Sequence, residues 1–194
     1  MASFRHLRSR LVPLLGPDID TDQIIPAQYV NAAGTEALAR ALFRRLRDQN
    51  ARFVLDRPEM AGRTVMLVGS NFGCGSSREA AAWALSAWGI RALIGRSFNA
   101  TFSGNCLQNG LLPIAAPLEA HGALCEAIGA GADPEIAIDL ERDRVEFTEL
   151  GIAFSVGLEP FARELLLRGM DELHYLLDRR AEIEAYETRG GPLQ

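Results

Sequence analysis

The chain has 194 residues, of which 48% are hydrophobic and 23% are charged, and its formal net charge is −5. This composition indicates a soluble globular protein of one domain and excludes an intrinsically disordered chain. All 20 basic residues are arginine, which excludes a Walker-type phosphate lysine, a Schiff-base lysine and a lysine general base.

The pattern of residues in the first third of the chain predicts one helix between irregular segments. A short apolar run at 11–15, interrupted by Pro13, leads into the acidic turn 18–22, where Asp and Thr side chains can cap backbone donors. Leucines at four-residue spacing then predict an amphipathic helix over 35–48. The segment 50–63, which is interrupted by proline and glycine, predicts a loop.

The middle of the chain alternates apolar strands with helices. Apolar runs and glycine stops predict strands at 64–68, 90–94 and 111–115 and helices at 78–88 and 97–109. This alternation predicts an α/β fold with a parallel βαβαβ core. The remaining pattern predicts a helix over 118–129, a hairpin of strands 135–140 and 145–147, and C-terminal helices over 159–168 and 171–187.

Composition also sets expectations for partners and compartment. The pI near 5.3 argues against a general nucleic-acid surface, which needs a basic stripe. No apolar run approaches the ~20 residues of a membrane span, and no apolar segment typical of a secretory signal follows the first ten residues. Three scattered cysteines lack the spacing of a zinc site or a disulfide framework. We therefore expect a cytoplasmic protein without a membrane, nucleic-acid or metal partner bound to this chain.

The loop Gly69–Arg78 joins the first of these strands to the following helix. It departs from the P-loop, which needs a lysine, and from the dinucleotide fingerprint, whose third glycine position here holds Arg78. It departs from the nucleophile elbow because its serine comes one place early. A nucleophile at Cys74 would need a basic partner, and no histidine is near in sequence.

The same loop combines two hydroxyls with a guanidinium. Ser76 and Ser77 are predicted at the N-cap or in the first turn of the helix, where free N–H groups and the helix dipole favour an anion. Arg78 adds a planar fork suited to a carboxylate. The loop therefore predicts a carboxylate or phosphate site. The alternative is structural: the serines only cap the helix, and Arg78 forms a surface pair with Glu79.

Several blocks of sequence carry a family resemblance. The string 71–79, NFGCGSSRE, resembles the signature of the swivel domain of the aconitase superfamily, and it is most similar to that of the small subunits of bacterial 3-isopropylmalate dehydratases. The block 20–26, DTDQIIP, and the block 97–113 resemble the other two blocks of the family in order and spacing. The ending 169–187 also matches, so the resemblance covers nearly the whole chain.

The resemblance implies a swivelling β/β/α domain over residues 1–194, with a helical extension at about 158–194. It implies a large-subunit partner that carries a [4Fe–4S] cluster, whose iron acts as a Lewis acid on the departing hydroxyl. The reaction implied is a hydro-lyase isomerisation of 2-isopropylmalate and 3-isopropylmalate in leucine biosynthesis. Three unpaired cysteines cannot supply the usual ligand set of the cluster, so Cys74 and Cys106 are interpreted as packing residues.

The resemblance also implies roles for single residues. Ser76 is the implied general base, which removes the proton next to a carboxylate. Arg78 is the implied clamp on the substrate carboxylate, and Ser77 supports it with hydrogen bonds. Asp22 and Thr21 are implied to lie close to the site, on the side of the large subunit.

Two departures from the family pattern bear on the substrate. Ala80 and Ala82 stand where the common pattern has histidine and proline. The loop after Pro26 helps to select the substrate in this family, and here it offers Val30 and Asn31 but no arginine for an extra carboxylate. An apolar substituent such as isopropyl or methyl is therefore favoured. The alternatives are a paralogous dehydratase for another alkyl malate, citraconate or a homoaconitate-type acid, and a non-catalytic anion-binding module.

Overall fold

The structure is a computed structural model that describes residues 3–31 and 34–189. Its strands are β1 (His6–Leu14), β2 (Val65–Val68), β3 (Ala92–Gly95), β4 (Leu112–Ala115), β5 (Glu135–Asp139), β6 (Arg144–Phe147) and β7 (Ile152–Phe154). Its α-helices are α1 (Thr21–Ile24), α2 (Thr35–Ala41), α3 (Arg44–Gln49), α4 (Glu79–Trp88), α5 (Ala100–Gln108), α6 (Leu118–Gly129), α7 (Pro160–Arg168), α8 (Glu172–Asp178) and α9 (Arg180–Thr188). Across these two ranges, we find no helix with the length and hydrophobicity needed to cross a membrane.

The strands form one sheet in the order β4-β3-β2-β1-β5-β6-β7. Strands β1 to β4 are parallel to one another. On the other side of β1, strands β5, β6 and β7 run antiparallel. The predicted α/β fold, its parallel core, its C-terminal helices and the hairpin of β5 and β6 are confirmed.

Strand β1 joins the two halves of the sheet. The sequence pattern predicted only an apolar run at 11–15, which corresponds to the second half of this strand. Residues 6–10 pair with β5, whereas residues 11–14 pair with β2. Pro13, which argues against a central strand, therefore lies where β5 no longer pairs with this strand. The short strand β7 was also missed, because it has only three residues and none of them is fully buried.

Two apolar layers cover the sheet. On one face, Val12, Met66 and Leu93 pack under α2 and α4. On the other face, Leu11, Leu67 and alternate residues of the neighbouring strands pack against the helices that follow β4. Strands β2 and β3 are buried at every residue, which explains their continuous apolar runs.

Two predicted helices are each divided in two. The helix predicted over 35–48 breaks at Phe43, which adopts a left-handed conformation with φ of 51° and has a fully buried side chain. Its N–H donates to the carbonyl oxygen of Ile24 over 2.8 Å, so tertiary packing overrides the helical pattern. The helix predicted over 171–187 divides at Arg179 into α8 and α9.

Candidate active site

Three loops meet at the edge of the sheet where the parallel strands end. They follow β1, β2 and β3 and comprise residues 15–20, 69–78 and 96–99. Isolated bridges join Asp20 to Cys74 and Phe72 to Phe98. The carboxyl ends of parallel strands are where open α/β sheets bind ligands, so this edge is the candidate site.

The acidic turn lies directly against the glycine-containing loop. Asp18 N–H donates to the Ser70 carbonyl over 2.9 Å, and Gly73 N–H donates to the Ile19 carbonyl over 2.8 Å. The predicted capping role of the turn is confirmed, because the Asp20 side chain caps α1 by accepting from Gln23 N–H over 2.7 Å. Backbone pairing therefore holds the two loops together over most of their length.

Thr21 continues this contact to the end of the loop that precedes helix α4. Its N–H donates to the Cys74 carbonyl over 3.0 Å, and its Oγ1 donates to the Ser76 carbonyl over 2.8 Å. Asp22, the next residue, forms an ion pair with Arg78. The four residues predicted from the two loops, Thr21, Asp22, Ser76 and Arg78, are thus brought together.

The predicted position of the two serines relative to the helix is wrong. Helix α4 begins at Glu79, and its N-cap residue is Arg78, which makes no side-chain capping bond. Arg78 has an extended backbone, with φ of −136° and ψ of 104°, so Ser76 and Ser77 precede the helix. Both serines are exposed. They do not serve as caps, so the alternative in which the serines only cap the helix is also wrong.

The Arg78 guanidinium is held towards the acidic turn. Its partner is Asp22, and the side chains of Arg78 and Asp22 are 20% and 40% exposed. The alternative surface pair with Glu79 is not formed, since Glu79 instead accepts a hydrogen bond from Asn109 Nδ2 over 3.1 Å. Arginine carries five N–H donors, so Arg78 keeps donors for a second carboxylate after pairing with Asp22.

The proposed substrate loop lies farther along the chain. Val30 is half-buried and packs against the apolar core, and Asn31 is exposed just before residues 32 and 33, which fall outside the described ranges. Among the described residues, no hydrogen bond or ion pair joins Val30 or Asn31 to the segment Ser76–Arg78. Ala80 and Ala82 are buried in α4, so both departures from the family pattern face the core.

Sequence reasoning missed the contribution of the third loop. Phe72 packs edge-on against Phe98 and Phe102, with ring centroids 6.4 Å and 5.6 Å away. Asn99 caps α5 by accepting from the N–H groups of Thr101 and Phe102. Asn before a helical run is a recognised N-cap signal and could have placed the start of this helix at Ala100 rather than at residue 97.

The thiols of the described residues do not fit an iron–sulfur cluster. Burial raises the pKa of all three, Cys74, Cys106 and Cys125, and the carboxylates of Asp20 and Asp18 raise the pKa of Cys74 further. The one group of three or more potential ligand side chains among the described residues includes no cysteine, so no set of thiols of the kind that holds a cluster is gathered there. Cys106 is fully buried in the apolar core, which confirms it as a packing residue.

The described residues contain one group of potential metal ligands, and it lies elsewhere. His6, Asp139 and Glu141 gather at the amino end of β1, opposite to the three loops. Arg5 pairs with Glu141, and Arg142 pairs with Asp139. Because both carboxylates already have a cationic partner, this group is adequately explained as surface ion pairing.

Comparison with known proteins identifies the family. Residues 4–119 match the aconitase C-terminal domain. The chain is 42% identical to the 3-isopropylmalate dehydratase small subunit of Solibacter usitatus, with 97% of this chain and 95% of that protein covered. It is 40% identical to the small subunit of the same name from Phenylobacterium zucineum, with the same coverage.

A solved structure supports the same assignment. The crystal structure of 3-isopropylmalate dehydratase from Methanocaldococcus jannaschii is similar to this chain, with a TM-score of 0.67 and 28% sequence identity. The similarity covers 94% of this chain and 99% of that one. The chain therefore belongs to the aconitase C-terminal domain family and, within it, to the small subunits of 3-isopropylmalate dehydratase.

Proposed function

We propose that this chain is the small subunit of a heteromeric hydro-lyase that isomerises 2-isopropylmalate and 3-isopropylmalate in the cytoplasm, as a step of leucine biosynthesis. Residues 1–194 act as one swivel domain with a helical extension at about 158–194, and the chain is active only with its large subunit. The observation that supports this most strongly is the pairing of the segment Ser76–Arg78 with Thr21 and Asp22 at the carboxyl edge of the parallel strands.

Ser76 acts as the base in this proposal. It removes a proton from the carbon next to a carboxylate, and the C–H electron pair becomes the double bond while the hydroxyl on the adjacent carbon departs with the C–O electron pair. The departing hydroxide takes up a proton from an acid on the large-subunit side of the site and so becomes water. Addition of water in the opposite orientation completes the isomerisation. A serine hydroxyl is a weak base, so its alkoxide needs fixed positive potential. In this proposal the Arg78 guanidinium supplies that potential.

Arg78 holds a substrate carboxylate with the donors that Asp22 leaves free, and Ser77 supports the same group with a hydrogen bond. Val30 and Asn31 face the substituent of the malate. The segment Ala27–Asn31 contains no arginine, which favours isopropyl over a carboxylate arm. The same reasoning allows a related alkyl malate as substrate, which a substrate series would reveal.

The exposure of Ser76 and Ser77 supports a role for the large subunit. An exposed hydroxyl is solvated, and water weakens the electrostatic stabilisation on which an alkoxide depends. We propose that the large subunit closes this edge of the sheet. Membership of the aconitase family suggests an iron–sulfur cluster in the enzyme, and we assign the [4Fe–4S] cluster to the large subunit because the thiols of this chain do not fit it.

Substitutions in the assembled enzyme test these roles. Ser76→Ala should lower kcat by at least about 100-fold, the usual contribution of a general base, while the two subunits still associate. Ser86→Ala is the matched control, because Ser86 is an exposed serine within helix α4, away from the loop that carries Ser76. Arg78→Lys keeps the charge but loses the fork, and KM should rise by roughly tenfold or more. Unchanged turnover in Ser76→Ala would remove Ser76 from its role.

A further inference from the structure

Thr21 is the one polar residue that is buried as a whole in the part of the chain that the structure describes, with 2% of its surface exposed. Its neighbours Asp20 and Asp22 are half-buried. Burying a hydroxyl costs free energy unless it is hydrogen-bonded, and an apolar side chain of the same size would fill the space without that cost. The hydroxyl therefore calls for an explanation beyond packing.

Thr21 donates two hydrogen bonds, one from its N–H and one from its hydroxyl, and both acceptors lie in the short segment 74–76. The N–H bonds the Cys74 carbonyl, and the hydroxyl bonds the Ser76 carbonyl. These two carbonyls flank Gly75, whose φ of +87° lies in the left-handed region that glycine enters readily. Gly75 also lies against Thr21, because a Cβ on Gly75 would be 3.8 Å from Thr21 Oγ1. The two hydrogen bonds of Thr21 thus span Gly75, a glycine whose backbone can rotate more freely than that of other residues.

No other hydrogen bond holds Ser76 among the described residues. Its own hydroxyl and its N–H have no protein partner there, and helix α4 starts only at Glu79. The bond from Thr21 Oγ1 over 2.8 Å is the single polar contact that fixes the Ser76 backbone. Without it, rotation about Gly75 would change the direction of the Ser76 side chain relative to Arg78.

We propose that Thr21 is a positioning residue for the reaction: its hydroxyl fixes the Ser76 backbone so that the Ser76 hydroxyl meets the proton of the bound substrate. This inference rests on the proposed function, in which Ser76 is the base. Arg78 is held separately by Asp22. Loss of the Thr21 hydroxyl should therefore impair the proton-transfer step more than it impairs binding of the carboxylate.

The test is Thr21→Val in the enzyme assembled with its large subunit. Valine keeps the shape and removes the hydroxyl, so kcat should fall by about tenfold or more, as expected for a misplaced reactive group, while KM changes by less than about threefold. Thr21→Ser restores the hydroxyl and should recover most of kcat. Thr64→Val is the matched control, because Thr64 Oγ1 is a buried hydroxyl without a partner and lies outside the site.

Three results would overturn the inference: a wild-type kcat in Thr21→Val, an equal loss in Thr21→Ser, or an equal loss in Thr64→Val. If Thr21→Val does not fold, the kcat and KM of Thr21→Ser are compared with those of Thr21→Ala instead. These two variants differ only in the hydroxyl, and equal kcat values would overturn the inference. If Ser76→Ala keeps full turnover, the proposed function itself fails, whereas loss in Ser76→Ala with no loss in Thr21→Val refutes only the positioning role.

Discussion

Gly73 lies in the glycine-containing loop 69–78, directly against the ring of Phe102. Its backbone is left-handed, with φ of +75°, and a Cβ added to it would lie 2.2 Å from Phe102 Cγ and 2.4 Å from Cδ1. Phe102 is 2% exposed and packs against Phe72, so the ring has little room to move away. We therefore expect Gly73→Ala to destabilise the chain through two separate effects.

The first effect is conformational, because an L-residue in the left-handed region costs about 1–2 kcal/mol. The second is overpacking, which typically costs about 1–3 kcal/mol in a well-packed core. Their sum is about 2–5 kcal/mol for Gly73→Ala. Gly62 provides the matched control, since its φ is +76° but nothing lies within 4 Å of an added Cβ. Gly62→Ala should therefore cost only the first, conformational amount.

Thermal unfolding of the isolated chain measures the difference. For a protein of this size, 1 kcal/mol corresponds to a change in Tm of roughly 2–4 °C. The Tm of Gly73→Ala should therefore fall below that of Gly62→Ala by roughly 2–12 °C. Equal Tm values for the two variants would show that Phe102 does not pack on Gly73 in solution, and the described geometry of the loop would be wrong.

Two further predictions concern stability away from the site. Thr64→Val should raise the free energy of unfolding by about 1 kcal/mol in urea denaturation, because it removes a buried hydroxyl without a partner; a decrease would mean that this hydroxyl is satisfied. A hydrogen bond from Arg63, with a second from Arg10, lowers the pKa of Asp133 below its usual value of 3.8. The folded state thus gains stability above pH 3.8 that is lost as the pH falls through the lower folded pKa. Asp133→Asn should lower the free energy of unfolding by about 1 kcal/mol or less at neutral pH, and the difference from the wild-type chain should disappear in acid. A difference that persists below pH 2 would exclude the carboxylate as its source.

The parallel half of the fold could be predicted because its strands are buried on both faces. Every residue of β2 and β3 is buried, so the apolar runs are continuous and the helices between them are separated by clear stops. Strand β1 could not be recognised in the same way. Its first half alternates between exposed and half-buried residues, and its apolar half contains Pro13, which is tolerated only because of the change of pairing partner along the strand.

The anion site stays a prediction from the local sequence pattern, and the geometry of its residues could not be predicted at all. Glycines, two serines and an arginine before a helix indicate an anion site from local pattern alone. The extended backbone of Arg78, which moves both serines out of the helix, depends on contacts with residues far away in sequence. Asp22 lies 56 residues from Arg78, and no local propensity encodes that contact. The break at Phe43 has the same origin, since its N–H bonds Ile24 across two segments.

Reconstitution with the large subunit shows whether this chain is one half of an isopropylmalate isomerase. The purified chain and its cluster-loaded large subunit are assayed separately and together with 2-isopropylmalate, and the absorbance of the alkene intermediate is followed. We expect turnover only in the mixture, and a higher kcat/KM for isopropylmalate than for a malate with a carboxylate arm. Absence of turnover on any branched malate in the mixture, or activity of this chain alone, would contradict it.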